Sequence, residues 1–211
     1  LYWNRGMHKA WEEASHAKDY DYFLWLNDDT NMYNNAIAEL LSASQSKEDR
    51  AIIVGPTVSP SHPDTATYGG RMSSGSIPPL NGKLQQVHHF NGNIVLVPRH
   101  VYNSLGNLDP YFTHSKGDFD YGMRATEQGI ESYQVGKPLG ECEAHPRIDK
   151  WCDPEIPFRK RWTYMHLPTG MPANETFHLE RRHCGLFKAS FHWCTNYARC
   201  LFPQLWTMYK K

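Results

Sequence analysis

The run Tyr22-Phe23-Leu24-Trp25-Leu26 stops without transition at Asn27-Asp28-Asp29-Thr30. A compact, aromatic-rich apolar run of this kind predicts a buried strand over 21–26. Two adjacent carboxylates at its exit then sit at the carboxyl end of a sheet, where open α/β folds bind ligands. The next segments keep the same rhythm. Ala36, Ile37, Leu40 and Leu41 make an amphipathic stripe over 34–44, and 51–54 is a short strand ended by Gly55-Pro56. Strand, acidic turn, helix, strand is the pattern of an α/β sheet. Met7, Ala10, Trp11 and Ala14 place a helix over 7–17. Strand character resumes over 87–97 around Asn91-Gly92-Asn93, a short helix runs from Pro98 to Gly106, and another spans 117–128 with Gly129 as its C-cap. A last strand covers 132–135. Beyond Pro138 the pattern is irregular until a helix over 187–201.

The chain has 211 residues, enough for one sizeable core with an extension. Its net charge of zero hides an uneven distribution. Residues 1–156 hold 13 Lys+Arg against 20 Asp+Glu, whereas 157–211 hold 9 against 2. This predicts an acidic catalytic body over 1–150 and a basic, aromatic, helical extension over 151–211. A nucleic-acid binder more often carries its positive charge throughout, so no nucleic-acid partner is expected. No apolar run approaches the ~20 residues that cross a bilayer, and the first residues lack the zones of a signal peptide. The expected location is therefore the cytoplasm. The five cysteines all follow position 141. Cys142, His145 and Cys152, or His183, Cys184 and Cys194, suggest zinc, but neither set has zinc-finger spacing, and reduced packing cysteines are the simpler reading.

Five groups of residues carry chemistry. Asp28 and Asp29 offer hard oxygen ligands suited to Mg²⁺ or Mn²⁺, which bridge diphosphate oxygens; the plainer reading is a solvated turn with Asp29 capping the next helix. Asp118 falls at a helix start, either as a cap or as a general base within reach of an acceptor hydroxyl. Asp120 and Arg124, four apart, make an internal ion pair or line a ligand site. Gly92, between Asn91 and Asn93, marks a bulge or close approach by a ligand. His145 is a further possible metal ligand after the last strand.

Taken in order, these pieces resemble the family 2 glycosyltransferases of the GT-A fold. The resemblance rests on Tyr22 to Thr30, Asn91-Gly92-Asn93, Leu105-Gly106-Asn107-Leu108-Asp109-Pro110-Tyr111-Phe112, and Gly117-Asp118-Phe119-Asp120-Tyr121-Gly122-Met123-Arg124-Ala125 with Gly129. It covers roughly residues 4–145. It implies a GT-A-like mixed, mostly parallel sheet flanked by helices. It also implies inverting transfer of a sugar from a nucleotide-diphospho-sugar to a carbohydrate or lipid-linked acceptor. Asn27-Asp28-Asp29 stands at the family's Asp-X-Asp motif, with Asp29 the principal metal ligand and His145 a candidate to complete the site. Asp118 stands at the catalytic-base position, with Gly117 where the family has Glu. Asn91, Gly92 and Asn93 would lie near donor sugar and acceptor, and Arg5 could meet diphosphate. The family's opening strand–helix–strand has no counterpart here, so the chain is expected to begin partway through a domain.

Two other function classes stay open on the residues alone. One is a non-catalytic carbohydrate- or nucleotide-binding module, the other a hydrolase of diphospho-sugars. The extension, with Phe158-Arg159-Lys160-Arg161-Trp162, fits peripheral docking at the inner face of an anionic membrane, packing on the acidic body, or a homodimer contact.

Overall fold

The computed structural model describes residues 1–144 and 148–207. Helix α1 (Trp3–Ala17) leads into β1 (Tyr22–Leu26), β2 (Asn31–Met32), α2 (Ala36–Gln45), β3 (Ile52–Val54), β4 (Thr57–Ser59), β5 (His62–Tyr68) and β6 (Gly70–Arg71). Then come β7 (Gln85–Val87), β8 (His89–Phe90), β9 (Ile94–Pro98), α3 (Arg99–Leu105), α4 (Gly117–Glu127), β10 (Ser132–Gln134) and β11 (Gly140–Glu141). The last four helices are α5 (Phe158–His166), α6 (Ala173–Cys184), α7 (Leu186–Leu201) and α8 (Pro203–Thr207). No described helix is long and apolar enough to cross a membrane.

The chain forms two compact units. The larger holds Gly6–Pro110 and Gly117–Ala144; the smaller gathers Leu1–Arg5 and Tyr111–Lys116 with the C-terminal segment. A single division near residue 150 does not anticipate those two short pieces.

The larger unit is a mixed α/β structure. Its main sheet has the order β1-β9-β3-β10-β7, and a second sheet the order β2-β11-β4-β5. The expectation of a mostly parallel sheet is corrected. In the main sheet only β3 and β10 pair in parallel, because β9 inserts between β1 and β3 running the opposite way. One face buries an aromatic cluster. The Trp11 ring meets Phe23 at 5.5 Å, Trp25 at 5.1 Å and Tyr121 at 5.4 Å between centroids, in the tilted and edge-on arrangements aromatic pairs prefer. The other face buries Ala36 and Leu40 of α2 against Ile53, Ile94, Leu96 and Leu139. β1 is not buried on both faces as its apolar run suggests. Phe23 and Trp25 are buried but Leu24 and Leu26 are 36% and 41% exposed, because only one face of β1 is covered at their positions.

In the smaller unit, α6 and α7 pack side by side, linked by Glu180 accepting from His192 Nδ1 at 2.7 Å. Trp151, Met165, Ala173 and Cys200 form its core. The buried Arg161 of α5 donates to the Cys200 carbonyl at 2.9 Å and also to the Ile156 carbonyl, so its guanidinium satisfies acceptors that include the α7 C-terminus. Helices α5 and α6 are absent from the sequence expectation. Their inward faces carry Arg161 with Met165, and Ala173 with Thr176 and Leu179, which read too polar to register as apolar stripes.

Candidate active site

The exit of β1 is a tight turn. The Thr30 N–H donates to the Asn27 carbonyl at 3.2 Å, so Asp28 and Asp29 occupy its two central positions with both side chains exposed. Asp29 caps no helix, since β2 intervenes and α2 begins only at Ala36. A second segment fixes the turn from beside it. The Asn27 N–H donates to the Asn93 carbonyl at 3.1 Å, and buried Asn93 donates through Nδ2 to Thr30 Oγ1 at 3.2 Å. Thr30 Oγ1 in turn lies 3.4 Å from Asp29 Oδ1.

The residues before Asn93 hold two further groups. The Gly92 N–H donates to Asp118 Oδ2 at 3.0 Å, while the Phe119 N–H donates to Asp118 Oδ1 at 2.9 Å. A carboxylate offers only acceptors, so the two amides fix its plane. Asp118 is half-buried in the first turn of α4, where the helix dipole favours an anion. Asn91 Oδ1 accepts from Arg71 Nε at 3.3 Å and Nη2 at 3.1 Å, and Arg71 Nη1 reaches the Gly75 carbonyl at 3.2 Å. Burial lowers the Arg71 guanidinium, and the charge of Asp118 opposes that, which places the two in each other's field. Three consecutive residues, 91 to 93, thus each hold a different charged element: Arg71, Asp118 and the Asp28-Asp29 turn.

Helix α4 is brought in by a glycine. A Cβ on Gly122 would come within 2.8 Å of the His89 Cα, so only glycine lets α4 lie this close to β8. Asp120 and Arg124 also lie on α4. Asp120 is fully buried and accepts from Arg124 Nε at 2.8 Å, while Arg124 Nη1 and Nη2 donate to the carbonyls of Leu105 and Asn107. The pair forms the internal ion pair of the plainer reading, and Arg124 fastens α4 to the end of α3. Arg5 is exposed in the first turn of α1, its N–H donating to the Thr113 carbonyl at 3.4 Å within the smaller unit. His145 lies outside the described residues.

Beneath the acidic turn sits Cys142, buried, with Sγ 3.5 Å from Asn93 Nδ2. Burial above all pushes its thiol up; the hydrogen bond with Thr30 opposes, and the Asp29 and Glu143 charges add to the rise. Cys142 is therefore a neutral thiol at pH 7, packed behind the turn as a small apolar group. Sequence reasoning did not find Arg71 or Cys142 as parts of this cluster. An arginine after two glycines in a Ser/Pro/Gly-rich stretch carries no signal of its own.

Among the described residues, no group of three or more His, Cys, Asp or Glu side chains is arranged to hold a metal. The exposed carboxylates of Asp28 and Asp29 instead fit a hard cation taking one or two protein oxygens, with substrate phosphates and water completing the shell. A scan against protein-family models finds no match, and a search of curated proteins finds none.

Proposed function

We propose that the larger unit carries the metal and acceptor part of an inverting glycosyltransferase site of the GT-A, family 2 kind. The observation that carries this reading is the convergence at residues 91–93. One three-residue segment holds Asp118 by Gly92 at 3.0 Å, and the Asp28-Asp29 turn by Asn93. These are the carboxylates that the resemblance assigns to proton abstraction and to the metal. The insertion of β9 between β1 and β3, bringing that segment beside the end of β1, is further support.

In this reading Asp29, with Asp28 beside it, would hold Mg²⁺ or Mn²⁺, which supplies Lewis-acid stabilisation to a leaving diphosphate. Asp118 accepts the proton of the acceptor hydroxyl on its carboxylate. The hydroxyl oxygen bonds to the anomeric carbon as the bond to diphosphate breaks, and single displacement inverts that carbon. Asn91, its Oδ1 occupied by Arg71, turns its amide N–H groups to the remaining sugar hydroxyls, with Asn27 across the segment. The donor is a nucleotide-diphospho-sugar and the acceptor a carbohydrate or lipid-linked hydroxyl, at the cytoplasmic side of the cell.

Asp118→Asn is the test. It keeps the side chain's size and an acceptor for one of the two amides, Gly92 or Phe119, but removes the base. Turnover is expected to fall by about 10²–10⁴-fold, the usual contribution of general-base catalysis. Mn²⁺-dependent calorimetric binding of UDP, GDP or dTDP should be unchanged in the variant. Full turnover in the variant would remove Asp118 from its role. Absence of metal-dependent binding by all three nucleotides would favour a different ligand. Donor cleavage at equal rate with and without acceptor would make the enzyme a hydrolase.

A further inference from the structure

Helix α7 is amphipathic in the wrong direction for a helix that ends at its own core. Its buried residues are Ala189, Asn196 and Cys200, small or polar side chains turned onto the smaller unit. On the opposite face Phe187, Phe191, Cys194, Ala198 and Leu201 recur at four- and three-residue steps, which align them along one stripe of an α-helix. All five are exposed, Phe187 by 88%, Phe191 by 59% and Leu201 by 45%. The apolar exposure continues past the helix end into Phe202 and Leu205, at 58% and 62%. A helix of a water-soluble protein places such a stripe inward, and contiguous exposed aromatic surface of this kind marks an interaction site.

The charge around the stripe selects the partner. Residues 157–211 hold nine Lys+Arg against two acidic residues. Both acids are engaged within the unit, Glu175 by Thr113 and Glu180 by His192. Arg181 and Arg182, at the end of α6, and Lys188, on α7 beside the first phenylalanine, are exposed. A second copy meeting the stripe through the same face would bring an equal excess of positive charge against it. An anionic bilayer surface matches both features of the face: hydrocarbon for the Phe and Leu side chains, and negative charge within a Debye length for the cations. We infer that the exposed face of α7 is a membrane-docking surface that seats Phe187, Phe191 and Leu201 in the interfacial layer of an anionic bilayer.

The inference rests on the smaller unit alone and does not depend on the transferase reading. The full chain, without donor, metal or acceptor, is mixed with sedimentable vesicles of phosphatidylcholine alone or of phosphatidylcholine with phosphatidylglycerol. It is expected to pellet with the phosphatidylglycerol vesicles, and to be released as salt is raised. In the double variant Phe187→Asp and Phe191→Asp the bound fraction should fall by about tenfold or more, since the variant removes two apolar anchors and each new charge repels the surface. Both residues are exposed, so far-ultraviolet circular dichroism and the melting temperature should not move. The charge variant Lys188→Glu, which leaves the stripe intact, should lower binding by a smaller factor. Failure to pellet with phosphatidylglycerol vesicles would overturn the inference, as would undiminished binding by the double variant. A dimer in sedimentation velocity that the double variant converts to monomer would overturn it in favour of a self-interface.

Discussion

Asn93 joins the acidic turn to the rest of the site through one side chain. Its Nδ2 reaches Thr30 Oγ1 at 3.2 Å and lies 3.5 Å from Cys142 Sγ, with Thr30 bridging to Asp29. With 5% of its surface exposed, Asn93 has little to offer a sugar directly. Its contribution is to orient the carboxylate that would meet the metal, the kind of outer contact whose loss costs about 10–100-fold in metal affinity. Asn93→Ala should therefore weaken Mn²⁺-dependent nucleotide binding by about that factor, measured by calorimetry. The Asn27 N–H to Asn93 carbonyl bond is backbone, so it survives the substitution and the turn should persist. An effect on melting temperature with no change in metal affinity would make Asn93 a packing residue only. Asp118 differs in kind. Two backbone amides, Gly92 and Phe119, hold it, one on each oxygen.

At the scale of elements, the position of Asp118 is set by how closely α4 approaches β8. Gly122→Ala puts two effects against each other. Alanine gains about 1 kcal/mol of helix propensity over glycine. Its Cβ, however, would lie 2.8 Å from the His89 Cα and 3.1 Å from the Phe90 ring, and overpacking of this sort costs about 1–3 kcal/mol. The atom met is backbone and cannot rotate away, so the clash wins. The variant should melt at a lower temperature and, under the proposed transferase function, lose turnover, because α4 carries Asp118 with it when it is pushed outward; an unchanged melting temperature would show that α4 yields without strain. The glycine itself was visible in the sequence, but as part of a motif and not as a contact. This is typical of what could be read here. The β1 run, the stripe of α2 and the helix over 117–128 announce themselves by periodicity, and the Asp28-Asp29, Asn91–Asn93 and Asp118 segments by residue type. Neither signal says that β9 enters between β1 and β3, since strands so far apart in the chain leave no local pattern of their pairing. Nor does it show the exposed Leu24 and Leu26, because an apolar run looks the same whether one face of its strand is covered or two.

Over the whole molecule, the charge asymmetry was legible from the first count, whereas the discontinuity of the two units was not. Tyr111–Lys116 belongs to the smaller unit, yet it is joined covalently to Gly117 and so to the first turn of α4. This short piece is held by a set of contacts from α6. Glu175 accepts from the Thr113 N–H at 3.1 Å and from its hydroxyl at 2.7 Å, and the His178 ring stacks on Tyr111 at 3.9 Å. Asn4 adds a bond to the Phe112 carbonyl at 2.7 Å. None of this is encoded by neighbours in sequence, which is why a division near residue 150 looked sufficient. A residue of the C-terminal segment thus fastens the segment leading into α4. Glu175→Ala removes both acceptors of Thr113, and hydrogen bonds to a charged group contribute about 1.5–3 kcal/mol. The Thr113 amide should then exchange with deuterium roughly 10–100-fold faster, since about 1.4 kcal/mol of lost protection corresponds to a factor of ten. Amides of β9, held inside the main sheet, should exchange at their original rates. Acceleration spread evenly over both units would instead mean that Glu175 stabilises the chain globally and has no particular hold on residues 111–116.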